Sequence, residues 1–496
     1  MPGLALNEDN SHFFFTRAGQ RLDAEAVAAW VDQYAGTQVH ELLLCPNAMR
    51  ASYASAVWEP IWHGYDPDGP DDQSLFASLP AADRARARGW VHAAWQLAHD
   101  GIDVYKVWIE RARRHGLSPW LTMRMNDLHG VDDDACFMHS DFWRRHPEYR
   151  RVPYRFAGWP DRALDYGRAE VRAHHLKFIR ELAECYDFDG LELDWMRFGY
   201  HFRPGHEAAG AALLTAFTAE VRALLDQWEG IRGHRIYLGA RVPSRPQTAL
   251  RLGMDAVAWA RKGLIDWLVV TPFWSSIETD MPIELWKALL HGTGVTLCAG
   301  LEVLLRPQPG YPDHPMNTLE TVRGAAAAML ERGADRVYLF NYMDGETAMA
   351  HVERDYGAML REVGDLATLA GKPRRHVLTF ADTWAPGEAE AHLLPAPIPA
   401  GGWKAFRLPT GPAPAGVAEV ILGIQDGPTL AEGTLEVRIN GIVCACIGPA
   451  ALDDPKPGFP THAYVIPDGA LHRGENVIEV LAREAVTVGW VEVAMR

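Results

Sequence analysis

From about residue 10 to residue 370, short apolar runs alternate with longer stretches whose apolar residues recur at helical spacing. That alternation is the pattern of a parallel βα architecture. Eight runs read as strands: Ser11–Arg17, Val39–Cys45, Trp120–Met125, Gly190–Asp194, Ile236–Val242, Asp266–Thr271, Val295–Gly300 and Arg336–Phe340. Helices are predicted over Val104–His115, Arg168–Cys185, Ala208–Trp228, Ala249–Arg261, Ile283–His291 and Leu319–Arg332. Several of them stop at a basic residue followed by glycine, at Gly116, Gly263 and Gly333, where a left-handed C-cap is expected. Eight strands with intervening helices predict a (β/α)8 TIM barrel with enlarged loops over residues 1–372. A doubly wound open sheet is the competing arrangement, but no Gly-x-Gly-x-x-Gly follows the first strand.

Beyond Gly371 helical periodicity disappears. Pro/Gly turns then separate short strand-like runs, and Asn440-Gly441 between Val437 and Val443 is a strong hairpin signal. A second, all-β sandwich domain is expected over residues 373–496.

Barrel active sites lie at the C-terminal ends of the strands, which shortens the list of candidate residues. The segment Asp189-Gly190-Leu191-Glu192-Leu193-Asp194 alternates apolar and acidic positions, so one strand face carries both Glu192 and Asp194. Desolvating two carboxylates is costly unless something pairs them, and such pairs often do acid–base or nucleophilic work. Asp194 is the first candidate, as nucleophile or acid/base. Glu192 lies one layer deeper, either catalytic or held in a buried ion pair that orients Asp194. Arg124 and Arg241 share the inward parity and are available to it. Glu302, at the end of strand 7, is the natural second carboxylate. Asp127 after strand 3 competes with it, and Asp344 follows. Asn126, His129, Trp195, Arg197, His201, Arg241, Trp274, Asn341, Tyr342 and Asp344 stand at or near strand ends and are candidate substrate contacts. Asn, Arg and His would hold hydroxyl groups while Trp and Tyr stack on a ring. His129 and His139 have neither the spacing nor the third ligand of a metal site, so no metal or cofactor is called for.

The charge balance, 48 Lys+Arg against 64 Asp+Glu, gives −16 with no basic run, which argues against nucleic acid and anionic membrane as partners. No eighteen-residue uninterrupted apolar run occurs, and Met1 to Gln20 lacks the layout of a secretory signal. Six scattered cysteines add to the expectation of a reduced, cytoplasmic setting. The eighteen tryptophans suit either sugar stacking or the outer layer of a barrel. Self-association is left open.

The segment Asp189 to Phe198 resembles strand 4 of bacterial family-10-like glycosyl hydrolase barrels. Arg124-Met125-Asn126-Asp127 with His129, Phe142-Trp143-Arg144-Arg145-His146-Pro147-Glu148, and Arg241-Val242-Pro243 followed by Gly253-Met254-Asp255 and Trp259 are similar segments. The resemblance implies a (β/α)8 barrel acting on a glycosidic bond in an oligo- or polysaccharide. The same strand echoes chitinase-type barrels, but Met196 stands where their catalytic Glu would fall, and a thioether cannot protonate a leaving group. The sandwich is similar in outline to the jelly-roll domains of carbohydrate enzymes, an analogy of architecture alone. Two other readings compete with hydrolysis. One is a carbohydrate-binding protein on a decayed barrel. The other is a lyase or isomerase with a metal at Asp127, His129 and Asp194.

Overall fold

The computed structural model describes residues 3–345, 349–412, 416–427 and 433–496. Eight parallel strands close into a barrel: β1 (Leu4–Glu8), β2 (Val39–Leu44), β3 (Ser118–Arg124), β4 (Gly190–Asp194), β5 (Tyr237–Pro243), β6 (Trp267–Thr271), β7 (Thr296–Leu301) and β8 (Arg336–Phe340). β8 pairs back onto β1, with Leu4 opposite Val337 and Asn7 opposite Phe340. This is the (β/α)8 architecture expected from the alternating pattern.

One strand lies elsewhere than expected. β1 is Leu-Ala-Leu-Asn-Glu, buried at all five positions, whereas His12–Thr16 forms a short helix. The run of three phenylalanines looks like a buried strand, but a short apolar run does not distinguish strand from helix. Phe13 instead meets Trp30 and Trp108 edge-on at 5.7 and 5.0 Å. The helix expected over Ala249–Arg261 is broken at Gly253 (φ 91°) into Pro246–Arg251 and Ala256–Arg261, and Asp255 caps the second piece. The helix Ala81–His99 was not anticipated. The glycine stops do adopt positive φ: 74° at Gly116, 65° at Gly263 and 105° at Gly333.

Inward-pointing side chains stack in layers. Trp120 of β3 and Trp267 of β6 fill the floor, their ring centroids 5.3 Å apart. Gly190 makes room for them, since a Cβ there would stand 2.3 Å from the Trp120 ring. Above the floor come Thr122, Glu192 and Tyr338, and the charged residues described below lie at the top. The helix Glu207–Arg232 is long and apolar enough to cross a membrane by length and composition, yet one face packs on the barrel. Its Arg222 is buried against Asp226, Glu229 and Asp266.

The C-terminal region adds β9 (Arg374–Val377), β10 (Ala396–Ile398), β11 (Gly402–Thr410), β12 (Ala418–Asp426), β13 (Leu435–Ile439), β14 (Ile442–Pro449), β15 (Thr461–Val465), β16 (Gly474–Ala482) and β17 (Val486–Met495). All their pairings are antiparallel, along one path ordered β10-β17-β12-β15-β14-β13-β16-β11, with β9 on β17. Phe406, Val437 and Ile478 from one end share an apolar core with Val420, Leu422 and Val491 from the other. The sheet is therefore doubled over into a sandwich. Asn440 and Gly441 take φ of 52° and 83° in the β13–β14 turn, the double positive that a two-residue hairpin requires.

Sandwich and barrel share a tight seam. Leu305 from the barrel joins Val377, Ile421, Trp490 and Ala494 of the sandwich in a small apolar cluster. The barrel helix Leu319–Glu331 lies directly on β9. A Cβ on Gly324 would stand 2.0 Å from the Arg375 carbonyl oxygen, a backbone atom that cannot swing aside. Gly324→Ala should therefore cost about 2–3 kcal/mol through forced separation of helix and strand. Urea unfolding of the variant checks this, and an unchanged midpoint would contradict the seam.

Candidate active site

The ends of β3, β4, β5 and β7 bring four of the sequence candidates together. Asp194 ends β4 and is 1% exposed. Its Oδ1 accepts from the backbone N–H groups of Met196 and Arg197, both at 3.0 Å, and from Arg241 Nη1 at 3.1 Å. The other end of the same guanidinium, Nη2, donates to Glu302 Oε1 at 2.9 Å. Arg241 is fully buried and stacks 3.6 Å from the Phe340 ring centroid, which fixes the plane of the fork. One guanidinium thus bridges two carboxyl groups at the barrel mouth.

The two are not equivalent. Burial pushes Glu302 up to about 8, against the pull of Arg241 and Arg197. A single cation shared between two carboxyls in a dry site does not stabilise two negative charges. Burial therefore favours the neutral form of Glu302 despite its contact with Arg241. Its backbone carbonyl is clamped by the Tyr342 hydroxyl at 2.6 Å and Asn317 Nδ2 at 2.9 Å.

A second charged group lies beside it. Arg124 pairs with Asp9 and, at 3.2 Å, with Asp127. Burial alone would raise both acids. Arg124 and Ser11 hold Asp9 well below the usual carboxylate range, and His129 with Arg124 does the same for Asp127. His129 Nδ1 lies 2.9 Å from Asp127 Oδ2, and its Nε2 accepts from Arg197 Nη2 at 3.0 Å.

Glu192 does not pair with either arginine. Its Oε1 accepts from Thr122 and Tyr338 hydroxyls, each at 2.7 Å, and its Oε2 is buried without a partner. Burial, then the nearby Asp194, push it up to about 7. The buried ion pair, one of the two roles expected of Glu192, is made by Asp194 with Arg241 instead.

Several candidate substrate contacts are committed to packing. Trp195 is wholly buried among Tyr166, His201, Phe217 and Trp259. His201 bonds the Trp195 carbonyl oxygen at 2.7 Å, and burial pulls its imidazole down to about 3. The Asn126 amide donates to the carbonyl oxygens of Leu164 and Tyr200 and accepts from Leu164 N–H, which clamps two loops. Tyr342 positions Glu302 from behind. Asp344 pairs with Arg17 at 2.8 Å and stands 3.4 Å from His12. Asn341 follows β8 at φ 58°, its Oδ1 buried without a partner. Among the described residues no three His, Cys, Asp or Glu side chains converge to hold a metal. Asp127 and His129 are instead bonded to each other.

An aromatic rim surrounds the mouth. Trp159 stacks on Phe273 at 5.7 Å, Phe198 meets both, and Trp274 is 41% exposed. The linker that follows β9 holds this rim in place. Asp382 accepts the N–H groups of Phe273 and Trp274 at 2.8 Å and of Ser275 at 2.7 Å. Glu278, buried and pushed up to about 7 by burial, lies 2.7 Å from Arg245.

Asp9, Asp382 and Glu278 were missed from sequence. Asp9 follows the strand that was misplaced, and that misassignment hid it. Asp382 lies past the barrel in a linker, where no sequence pattern marks it. Glu278 falls seven residues beyond the end of β6, outside the strand-end rule.

No protein-family model matches the chain, and no curated protein matches it. Among solved structures it is similar to the glycoside hydrolase domain of PgaB (BpsB) from Bordetella bronchiseptica. The identity is 12% and the TM-score 0.40, over 74% of this chain and 99% of that one. It is also similar to a cycloisomaltooligosaccharide glucanotransferase from Paenibacillus sp., at 10% identity and TM-score 0.35. The GH36 α-galactosidase AgaA from Geobacillus stearothermophilus matches at 13% and 0.35. These two matches cover 99% and 97% of this chain but 57% and 55% of the other, so the chain spans little more than half their length. Likenesses so distant are silent on chemistry. The family-10-like resemblance stays confined to the short segments that carry it.

Glu192→Gln keeps an oxygen to accept from Thr122 and Tyr338. The native Glu192 holds a proton that the unfolded chain releases between about pH 4.5 and 7, so its contribution to stability falls as pH rises through that window and is then flat. The variant should lose less stability than wild type between pH 5 and pH 8, by on the order of 3 kcal/mol. Parallel pH–stability curves from chemical denaturation would refute this.

Proposed function

We propose that the protein is a glycoside hydrolase in which Glu302 is the general acid and Asp194 the second carboxylate. The observation that carries this reading is the Asp194–Arg241–Glu302 bridge, in which one partner keeps its proton and the other is held only by donors. Such a split between neighbouring carboxyls assigns acid and base. A single bridging guanidinium keeps the pair no farther apart than the roughly 5–9.5 Å used by retaining and inverting glycosidases.

Glu302 would pass its proton to the departing glycosidic oxygen. Asp194 would attack the anomeric carbon or take a proton from the attacking water, and stabilise the positive charge that develops there. Arg241 would hold the Asp194 carboxylate in one orientation throughout. Trp274, with the Trp159–Phe198–Phe273 cluster beneath, offers flat apolar faces for sugar rings. A carbohydrate is the partner this surface suits.

One observation favours binding without turnover. Asp194 and Glu302 are each 1% exposed, so a sugar reaches them only if the residues packed over them move. A panel of chromogenic glycosides and native oligosaccharides decides between the two readings: binding with no cleavage of any member would make this a lectin-like barrel.

For a cleaved substrate, Glu302→Gln should lower kcat by about 10²–10⁴-fold, and Asp194→Asn by at least as much, with the fold intact by circular dichroism. The acid must hold its proton, so wild-type kcat/KM should fall as pH rises through about 8. That limb should vanish in Glu302→Gln. Near-normal turnover in either variant would end the assignment.

A further inference from the structure

We propose that the linker between the two domains is part of the barrel mouth, with Asp382 as the positioning residue that sets the Trp274 platform against Glu302. The inference rests on the carbohydrate reading above and adds the residue that holds its two halves in register. A chain joining two domains ordinarily runs over the surface with few contacts. This one does not: Leu378, Phe380, Ala381, Thr383 and Ala385 are all buried.

Both ends of the buried stretch are fastened to the loops that follow β5 and β6. Thr279 donates its N–H to Thr379 Oγ1 at 2.9 Å and its hydroxyl to the Val377 carbonyl oxygen at 2.7 Å. Further along, Thr248 donates to Glu388 Oε2 at 2.9 Å and Arg251 to the Pro386 carbonyl oxygen at 3.0 Å. Asp382 lies between these anchors. Its Oδ1 accepts from Phe273 N–H and the Thr383 hydroxyl, and its Oδ2 from the N–H groups of Trp274 and Ser275. Successive backbone N–H groups turned to one side form a concavity for an anion, and here a side chain of the linker fills it. Bonds to an ionised acceptor are the stronger kind, so this stretch of loop has one arrangement.

Trp274 belongs to that stretch, and its indole stays 41% exposed. The same stretch is bonded onward to the segment that follows Glu302. Arg306 Nε donates to the Ser275 carbonyl oxygen at 2.5 Å, and the Ser276 hydroxyl to the Arg306 carbonyl oxygen at 3.0 Å. Ile277 N–H reaches the Leu304 carbonyl oxygen at 2.9 Å. Asn317 then ties the carbonyl oxygens of Leu304 and Glu302 together, at 3.1 and 2.9 Å. Indole and acid are thus referenced to one another through backbone contacts, and Asp382 closes the assembly from the linker side. Its charge also adds to the upward push on Glu302. A sugar stacked on Trp274 presents its bond to Glu302 only while that separation holds, and a displacement of about 1 Å can cost on the order of 10²-fold in rate.

The test uses the full-length protein and the fastest-cleaved member of a panel of 4-nitrophenyl glycosides and cello-, xylo- and maltotetraose. Asp382→Asn keeps one acceptor oxygen and loses the charge. Its kcat/KM should fall about tenfold, mostly through KM, as should that of Trp274→Ala. Because both changes act through one platform, the double variant should lie within about twofold of the worse single one. The alkaline limb of kcat/KM should move to lower pH by on the order of half a unit in Asp382→Asn and stay in place in Trp274→Ala. Losses that multiply, an unmoved limb, or an Asp382→Asn enzyme within about twofold of wild type each overturn the proposal. If Asp382→Asn does not fold, Asp382→Glu replaces it in the cycle. The charge is then kept and the limb should stay, so multiplying losses or a limb that moves overturn the proposal. Wild type that binds tetraoses in calorimetry and cleaves nothing overturns the hydrolase reading alone, and the same cycle read on Kd still decides the role of Asp382. Wild type that neither binds nor cleaves overturns the carbohydrate reading and this inference together.

Discussion

A single buried guanidinium organises the upper half of this barrel. Asp194 and Glu302 come from β4 and the end of β7 and point into a space with almost no access to water. Without a cation between them, neither could be kept there charged. Arg241 supplies that cation, pinned by its stacking on Phe340. One positive charge shared by two carboxyl groups leaves them unequal. The two backbone N–H donors go to Asp194 alone, and burial pushes Glu302 toward its protonated form. That asymmetry follows from charge balance in a dry site.

The rest of the chain serves this arrangement. Tryptophans block the floor, a layer of hydroxyls absorbs Glu192, and Tyr342 and Asn317 hold the Glu302 backbone from outside. The sandwich contributes beyond its own core. The linker leading into it places Asp382 under three consecutive backbone N–H groups at the aromatic rim. Gly324 lets the barrel helix sit on β9, so the linker leaves the barrel from a fixed point.

Much of the fold was legible because strand and helix periods are local properties. Seven of the eight barrel strands coincide with the expected runs, and β4 and β8 agree to the residue. β1 was missed because Leu-Ala-Leu-Asn-Glu is short and buried throughout, while the three phenylalanines after it mimic a strand. That one displacement also hid Asp9 and with it the partner of Arg124. At the site, parity placed Glu192 and Asp194 on one inward face, and Arg124 and Arg241 beside them. Parity did not say which carboxyl each arginine would meet. Trp195 and Tyr342, at strand ends like the others, turned into packing and support.

Sequence alone was enough for the alternation of elements, the glycine stops, the Asn-Gly hairpin and the direction in which strand residues point. Each of these depends on backbone geometry within a few residues. Only the closed structure decided which charges share a partner and which are pushed toward their neutral form. Those outcomes depend on burial and on distances between residues such as Asp194, Arg241 and Glu302, which lie 47 and 61 positions apart in the chain. Local spacing carries no record of such long-range proximity, and electrostatics in a low-dielectric interior is governed by it.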